Sequence, residues 1–404
     1  MKIINLIQYF KDRVSTGGYP LLITEEYNYV MANYDKEDII NSFIEVFASN
    51  RNKESVFKNI DIKAVETKFN KLSEKTGKLL DSENINILMK HNYQFDIGEC
   101  LGVIQLSHYY NDISNYFHIE NRMKCGGYNR VPPYQIWNGE GLEEIKWRKL
   151  LRGFISPLFR SVNDKRRITV HEYRFCFRLS STVYTPMQFK PETAKTVIEL
   201  LSKNGRVLDF SSGWGDRLAG FHASKNGTYY LGTDPNHALH EGYVKQMKHY
   251  KLFGSTKESN IAKLPAEDLK WGLFKDFDLV FTSPPYFTTE LYGKGESSEH
   301  LQSWYRYTEY QNWRDNFLFK TIDNILPCLT KQAIFAINIF DITIKGTEYN
   351  VCEELHNHMI SRGFVYRGYL GMRMKQKPKN INDDNNKKYM ASYYVEPIWI
   401  YESQ

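Results

Sequence analysis

The sequence predicts an α/β protein with a mostly parallel, doubly wound sheet and a mainly helical N-terminal region. Short apolar runs alternate with helical segments after residue 200, which favours parallel strands joined by helices. The first 90 residues instead place apolar side chains at helical spacing. A third observation is the abrupt end of one apolar run at Thr282-Ser283-Pro284-Pro285-Tyr286-Phe287. Because two prolines remove two backbone donors, the chain must leave the sheet there.

The composition is that of an ordinary soluble protein, with 404 residues, 42% apolar and 25% charged residues. This length predicts two or three domains. The net charge of +6 permits a nucleic-acid partner without requiring one. Five cysteines without a C-x-x-C pair predict neither a disulfide framework nor a metal site, and they fit a reducing compartment. No apolar run approaches the ~20 residues of a membrane helix. We therefore expect a cytoplasmic protein, bacterial or in a host cell, without a membrane partner.

Residues 1–140 are predicted to form a mainly helical accessory or target-recognition region. Residues 35–47 and 62–72 each carry an apolar stripe at helical spacing. Gly126-Gly127-Tyr128 and Pro132-Pro133-Tyr134 follow without a preceding apolar strand, so they are interpreted as loops near a domain boundary.

Residues 141–184 are interpreted as a basic, aromatic connecting segment. Cations are dense between residues 146 and 178, where rings are interleaved with them. Cations can neutralise phosphates and rings can stack on bases, so this pattern favours nucleic-acid contact, with Arg166, Arg167 and Arg178 as candidate substrate-binding residues. The alternative is a solvated helix face.

The C-terminal part is predicted to form strands with helices between them. The strands are expected at 207–210, 229–234, 277–281 and 333–339, with a weak strand and loop at 260–268, and a helix is expected at 313–329. Two late strands, 364–374 and 397–401, would close the sheet. Between them, the polar segment 375–388 is predicted to be a mobile loop that is solvated or touches nucleic acid.

The turn after the first of these strands is rich in glycine and carries acids. Gly213 and Gly215 would let the backbone approach a ligand where a helix begins. Asp209 and Asp216 would repel a pyrophosphate, but they suit a cationic cofactor such as S-adenosylmethionine. Asp234 ends the second strand and is placed to bind ribose hydroxyls.

Three features occur in a fixed order: a glycine turn after the first strand, an acid after the second, and Ser-Pro-Pro-Tyr after the fourth. In this order the sequence resembles the amino-group DNA methyltransferases that use S-adenosylmethionine. Gly-Trp-Gly-x-Arg and Thr-Ser-Pro-Pro-Tyr-Phe are similar, more narrowly, to phage- and virus-type members. The resemblance covers roughly residues 185–400, implies a Rossmann-like methyltransferase domain over 185–404, and does not extend to residues 1–140. It implies a set of cofactor-binding residues: Phe189, Lys190, Pro191, Asp209, Ser211, Gly213, Gly215, Asp234, and Glu267 or Asp268 near the adenine.

The same resemblance implies a catalytic motif formed by Ser283, Pro284, Pro285 and Tyr286. An exocyclic amine is a poor nucleophile because its lone pair is delocalised into the ring. Acceptors on Ser283 and the Pro284 carbonyl would bind its hydrogens and favour the developing ammonium. Tyr286 would stack on the base, and Phe287 would line the pocket. The base must leave a duplex before it reacts. No metal is needed.

The target is expected to be DNA, with RNA as the enzymatic alternative. Serine at the first motif position is more often found with cytosine N4, whereas Asp or Asn is found with adenine N6, so cytosine N4 is favoured. A nucleic-acid-binding protein without turnover is an alternative from a different class. Attack by Cys328 of Pro327-Cys328, as in C5 methylation, is disfavoured because this pair ends a helix far along the chain from the fourth strand.

Overall fold

The computed structural model describes residues 5–57, 60–80, 86–89, 91–127, 130–159, 166–374 and 392–404. The chain forms two compact units. The helical unit contains Met1–Ile60, Ile119–Met187 and Glu290–Lys294, and the sheet unit contains Asp61–His118, Gln188–Thr289 and Gly295–Gln404. The sequence suggested regions 1–140, 141–184 and 185–404; in this division of the chain, residues 61–118 belong to the sheet unit and residues 141–184 to the helical unit. Tyr128, the 160–165 part of the basic segment and the polar segment 375–388 lie outside the described residues.

The helical unit has a core of aromatic and aliphatic side chains. Its helices are Leu6–Lys11, Thr24–Asn33, Lys36–Ala48, Pro133–Asn138, Glu144–Ile155 and Val170–Leu179, with a 3₁₀ turn at Ser156–Phe159. Gly126–Gly127 pairs antiparallel with Glu290–Leu291. The predicted helix at 35–47 is confirmed by Lys36–Ala48, whose apolar face is buried.

Five of the six rings between residues 146 and 178 lie inside this core, which corrects the interpretation that they are exposed for stacking; the sixth, Phe175, is half exposed. Trp147, Phe154, Phe159, Tyr173 and Phe177 are buried. Each lies on the inner face of a helix or turn, so the alternation of cations and rings is that of amphipathic helices. In this segment, five of the rings therefore stabilise the fold and are closed to a nucleobase.

The sheet unit is built on one sheet that contains ten strands among the described residues. In chain order they are β1 (Leu79–Leu80), β2 (Asn86–Met89), β3 (Cys100–Gln105), β4 (Arg206–Asp209), β5 (Tyr229–Thr233), β6 (Glu258–Ala262), β7 (Phe277–Thr282), β8 (Leu329–Asn338), β9 (Val365–Met374) and β10 (Ser392–Glu402). The spatial order is β1-β3-β9-β10-β8-β7-β4-β5-β6, and β2 pairs with β10.

The central strands confirm the predicted α/β fold. Strands β6, β5, β4, β7 and β8 are parallel neighbours. Counted from β4 in chain order, they follow the 3-2-1-4-5 arrangement of doubly wound sheets. Strand β7 is buried along its whole length, as expected for a parallel strand covered on both faces.

The two predicted late strands are present, but they lie within the sheet and do not close it. Strand β10 lies antiparallel between β8 and β9. Beyond β9, the sheet continues into β3 and β1, which come from the region predicted as mainly helical. That region was difficult to assign because β1 and β2 are only two and four residues long. In β3, Gly102 interrupts the apolar pattern.

Helices and turns flank the sheet. They are Ile62–Glu74, Asp112–Lys124 (whose residues after His118 belong to the helical unit), Pro191–Leu201, Asp216–Ala223, His240–Leu252 and Val351–Ser361. The helix predicted at 313–329 is a composite of Tyr310–Trp313, a π-helical turn Arg314–Phe319, Lys320–Ile325 and a 3₁₀ turn Leu326–Cys328. Among the described residues, no helix has the length and apolar character needed to cross a bilayer.

Candidate active site

Four polar side chains follow neighbouring parallel strands at one edge of the sheet. Asp209 ends β4, Asp234 follows β5, Ser283 follows β7, and Asn338 ends β8. Leu208 pairs with Val280 and Ile337 pairs with Thr282, so these strands end at similar heights. Because the carboxyl ends of parallel strands share one edge, the sheet gathers three of the predicted site residues there. Asn338 was not among them.

The glycine turn after β4 has a backbone conformation that requires glycine. Gly213 and Gly215 have φ angles of 58° and 72°, in the left-handed region. A Cβ at Gly215 would also collide with the amide of Gln246. The Gly213 N–H donates to Asp234 Oδ2 at 2.9 Å, so the turn is joined to the end of the next strand.

Asp209 lies beneath this turn, where both of its oxygens accept hydrogen bonds from the chain. It is fully buried, and its donors are Arg217 Nε at 2.7 Å, the Tyr230 hydroxyl at 2.6 Å and the Ser211 N–H at 3.1 Å. Arg217 also donates to the Ser211 carbonyl, and the Ser211 hydroxyl donates to the Phe210 carbonyl at 2.8 Å. Asp209 therefore fixes the shape of the turn, a role that its residue type alone did not reveal.

Asp234 is buried at the end of β5 and is held mainly by uncharged donors. Its carboxylate accepts from the Asn236 N–H at 2.8 Å and the Tyr243 hydroxyl at 3.0 Å, besides Gly213. Burial raises the pKa of Asp234 to about 6, although these hydrogen bonds oppose the shift. The carboxylate is thus ionised at neutral pH and becomes protonated in mild acid.

Glu267 and Asp268 follow β6 in a short 3₁₀ turn, and Arg306 holds both of them. Arg306 Nη1 lies 2.6 Å from Glu267 Oε1 and 2.8 Å from Asp268 Oδ2. Glu267 is buried and also accepts from the Tyr307 hydroxyl at 3.0 Å, whereas Asp268 is exposed. Burial raises the pKa of Glu267, and the Arg306 guanidinium opposes this.

The Phe189-Lys190-Pro191 segment leads into the helix Pro191–Leu201. Pro191 occupies its first position, where the missing N–H costs no hydrogen bond, and Lys190 is the N-cap residue. The Phe189 ring packs edge-on against Phe281 of β7, with centroids 5.7 Å apart. The Arg217 guanidinium lies 5.5 Å from its centroid. Phe189 thus connects β7 with the arginine beneath the glycine turn.

The Ser283-Pro284-Pro285-Tyr286 turn is anchored to Asn338 of the neighbouring strand. Ser283 Oγ lies 3.2 Å from Asn338 Oδ1 and 3.3 Å from the Tyr286 hydroxyl. The Tyr286 hydroxyl donates to the Asn338 carbonyl at 3.2 Å, and its half-buried ring meets Phe340 at 4.5 Å. Pro284 is buried, and Pro285 is partly exposed.

Phe287 has a packing role, which corrects its expected place in the pocket. Its side chain is buried in the main core of the sheet unit. The ring lies 5.8 Å from that of Tyr310 and 5.9 Å from that of Trp313. The Phe287 N–H donates to the Pro285 carbonyl at 3.1 Å, and φ is 50°. This left-handed residue turns the chain so that its ring enters the core.

A second set of side chains supports the glycine turn: Ser114, His118, Gln188 and Gln246. Ser114 and Gln188 hydrogen-bond Asp216, the first residue of the helix after the turn. His118 Nε2 contacts Gln246 Oε1 at 2.8 Å, and Gln246 Nε2 donates to the Gly215 carbonyl at 2.8 Å. Sequence patterns gave no signal for Ser114 and His118, because they are about 100 residues from the turn. Asn338 did carry a signal, since it is a polar residue at the end of a buried strand, as Ser283 is.

The three arginines predicted to bind substrate all lie in the helical unit. Arg167 and Arg178 are exposed, and Arg166 is partly buried and hydrogen-bonds Tyr27. Arg167 borders a cavity of about 370 Å³ that is also lined by Glu25 and Glu26. Their role in binding nucleic acid stays a prediction.

No family of known proteins matches this sequence, and neither does any curated protein. Among solved structures, an rRNA methylase from Streptococcus thermophilus is 13% identical, with a TM-score of 0.30 over 54% of this chain and 99% of its own. TrmN from Thermus thermophilus is 13% identical, with a TM-score of 0.34 over 53% and 49%. Precorrin-6y C5,15-methyltransferase from Geobacter metallireducens is 11% identical, with a TM-score of 0.31 over 53% and 88%. These likenesses are low, so the fold class rests on the sheet topology.

Proposed function

We propose that this protein transfers a methyl group from S-adenosylmethionine to the exocyclic amino group of a nucleobase in DNA, with cytosine N4 as the favoured target. The observation that carries the proposal is the position of the Ser283-Pro284-Pro285-Tyr286 turn. This turn follows β7, and β4 with its glycine turn is the neighbouring strand. Strand β5, which precedes Asp234, lies on the other side of β4. Two half-sites of different chemistry thus share one sheet edge. One contains the hydrogen-bond acceptors and aromatic ring of the Ser283–Tyr286 turn, and the other contains the glycine turn and its neighbouring carboxylates.

The polar residues at this edge have the chemistry that binding of the proposed cofactor requires. The Gly213–Gly215 backbone leaves room for close approach, and Asp234 would accept from ribose hydroxyls. Glu267 or Asp268 would lie near the adenine, and Phe189, Lys190 and Pro191 near the methionine end. Asp209 would act indirectly, since its oxygens already hold Arg217, Tyr230 and Ser211. When bound, the cofactor supplies an electrophilic methyl group on a sulfonium.

The chain's own residues would make the amine reactive. Ser283 Oγ and the Pro284 carbonyl accept the two amine hydrogens, which draws the nitrogen towards tetrahedral geometry and stabilises its developing positive charge. Tyr286, fixed at its hydroxyl by the Asn338 carbonyl, presents its ring to the base. The methylated ammonium is acidic and loses its proton to water.

The position of Cys328 argues against C5 methylation. It immediately precedes β8, whose first residue, Leu329, pairs with Phe277 at the start of β7. Cys328 therefore lies at the amino edge of these strands, opposite Ser283. Its side chain is fully buried, and burial raises its pKa to about 11, which is unfavourable for a nucleophilic thiolate.

Transfer of labelled methyl from S-adenosylmethionine to duplex DNA, single-stranded DNA and RNA tests the proposal. We expect label in DNA, and mass spectrometry of the digested product should give N4-methylcytosine. N6-methyladenine would change the target base, and label in RNA alone would change the substrate class. Bound cofactor without transfer to any of the three would overturn the enzymatic function and favour a nucleic-acid-binding role. The surface variant Ser361→Ala serves as a matched serine control.

A further inference from the structure

Asn338 is buried at the junction of three strands, beside the proposed catalytic turn. It ends β8, opposite Ile398 of the antiparallel strand β10, and its side chain is 2% exposed. On one side its amide meets Glu396 Oε1 at 2.9 Å and the Pro397 carbonyl at 3.0 Å. On the other side it meets Ser283 Oγ at 3.2 Å.

The partners of this amide fix its orientation. A backbone carbonyl can only accept a hydrogen bond, so the side facing Pro397 must be the NH₂ group. The opposite side, facing Ser283, must then be the carbonyl oxygen.

The orientation of Asn338 determines what Ser283 can do. A serine hydroxyl has one proton and two lone pairs. The Asn338 carbonyl oxygen accepts and cannot donate, so a hydrogen bond between them must use the serine proton. The Tyr286 hydroxyl lies 3.3 Å from Ser283 Oγ and 3.5 Å from Asn338 Oδ1, but its nearest acceptor is the Asn338 backbone carbonyl at 3.2 Å, which takes its proton. Ser283 Oγ lies closer to Asn338 Oδ1, at 3.2 Å, than to the Tyr286 hydroxyl, so its proton is assigned to Asn338. The lone pairs of Ser283 are therefore presented to a ligand.

From this geometry we infer that Asn338, oriented by Glu396 and Pro397, is a positioning residue that makes Ser283 an obligate hydrogen-bond acceptor and so selects an amino group over a carbonyl group on the bound base. The inference rests on the proposed function. Asn338 acts through Ser283 and does not touch the substrate. A base with a carbonyl at the reacting position would place its oxygen against Ser283 Oγ. Both oxygens are acceptors, so neither would gain a hydrogen bond and the two would repel each other.

The chain Glu396–Asn338–Ser283 also has a direction that favours reaction. Each group donates towards the Glu396 carboxylate, so the chain polarises the Ser283 oxygen towards greater negative charge. The amine nitrogen becomes more positive as the methyl group is transferred. Asn338 should therefore contribute more in the transition state than in the ground state, and its loss should lower kcat more than it changes KM.

The test compares the binding of two random-sequence single-stranded DNA pools in the presence of S-adenosylhomocysteine. One pool contains the ordinary bases. In the other, uracil replaces cytosine and hypoxanthine replaces adenine, so both candidate amines become carbonyls. Phosphate contacts are common to both pools, so the affinity ratio isolates the bases. For the native protein we expect the carbonyl pool to bind about tenfold more weakly.

Three variants test whether Asn338 causes the difference in affinity between the two pools. Asn338→Leu should bring the affinity ratio to within about twofold of unity and lower kcat at least about tenfold, with the KM for the cofactor unchanged. Glu396→Gln retains an acceptor for the amide and should stay within about threefold of the native ratio. Asn226→Leu removes an amide that donates to the Ser202 and Ile198 carbonyls. It controls for loss of stability and should leave the ratio intact.

The outcomes separate this inference from the proposed function. A native protein that binds both pools equally, or an Asn338→Leu variant with the native ratio and kcat, overturns the role of Asn338 alone. A native ratio of about tenfold without methyl transfer to any nucleic acid overturns the enzymatic function and leaves the acceptor assignment standing. Failure to bind either pool overturns both.

Discussion

The carboxyl edge of the sheet unit and the basic segment of the helical unit hold their charges differently. At the sheet edge, Asp209 and Asp234 are buried, and each accepts several hydrogen bonds. In the basic segment, Arg148 lies 2.5 Å from Glu45 and 2.6 Å from Glu144, on a partly exposed surface. Arg152 pairs with Glu37 in the same way.

This difference has energetic consequences. An exposed ion pair is screened by water and contributes little, so the arginines of the basic segment can be replaced without unfolding the unit. A buried carboxylate without its partners is costly, so the sheet edge tolerates few changes. We therefore expect function that depends on exact geometry at the sheet edge.

The largest effect is expected from Asp209→Ala. It leaves the buried Arg217 guanidinium without its counter-ion, which should cost about 3–5 kcal/mol of unfolding free energy and abolish both cofactor binding and transfer. Chemical denaturation and equilibrium cofactor titration measure the two losses. The double variant Asp209→Ala, Arg217→Met should recover much of the stability but not the binding. An Asp209→Ala protein of native stability would show that the pair does not support the turn.

A loss confined to chemistry is expected from Ser283→Ala. Removing one acceptor at the reacting amine should lower kcat by about 10²–10³-fold, the range found when one oriented hydrogen-bonding group is deleted from an active site. Tyr286→Ala should likewise lose transfer, and both variants should bind the cofactor as the native protein does. The readout is single-turnover transfer alongside cofactor titration, with Ser361→Ala as control. Full activity of Ser283→Ala would contradict the catalytic assignment.

A pH-dependent effect is expected at Asp234, because burial raises its pKa to about 6. Ribose hydroxyls donate to a carboxylate more strongly than to a protonated acid, so cofactor affinity should be constant well above pH 6 and about half of that value at pH 6. Below it, the affinity should fall by up to about tenfold per pH unit. Titration of the cofactor between pH 5 and 8 measures this. Asp234→Asn should bind more weakly and lose the dependence; a variant that keeps the native profile would assign the titration to another group, such as Glu267.

The same carboxyl should affect stability in the opposite sense. The fold raises the pKa of Asp234 above its ordinary value, so it favours the protonated form of this group. The contribution of Asp234 to stability is therefore fully present below its unfolded pKa and is lost as pH rises through about 6. Binding and stability thus respond to this residue in opposite directions.

The sequence predicted those site residues that lie at the ends of strands. Asp234 and Ser283 each follow a recognisable apolar run, and parallel topology brings such ends together regardless of the intervening chain. Asn338 follows the same rule and could have been found by it. Ser114, His118 and Gln246 could not, because they reach the glycine turn from helices whose packing no local pattern encodes.

The basic segment shows why its prediction was weaker. A helix places every third or fourth side chain inward, so alternating cations and rings are expected of any amphipathic helix with aromatic inner positions. Counting residue types could not separate an inner ring from an outer one. Trp147 and Tyr173 are fully buried, whereas Phe175 is half exposed, and only the helical register distinguishes them.

The smallest effect is expected from single arginines of the helical unit, and it tests whether Arg178 contacts nucleic acid. Arg178 is exposed at the end of the helix Val170–Leu179, whereas Arg152 pairs with Glu37 and donates to Asn41 Oδ1 at 3.0 Å. If Arg178 neutralises a phosphate, Arg178→Gln should weaken duplex binding uniformly across sequences and reduce the salt slope by about 0.9. Arg152→Gln is the matched control, because its charge is already compensated within the unit. Equal salt slopes for the native protein and both variants would remove Arg178 from the interface.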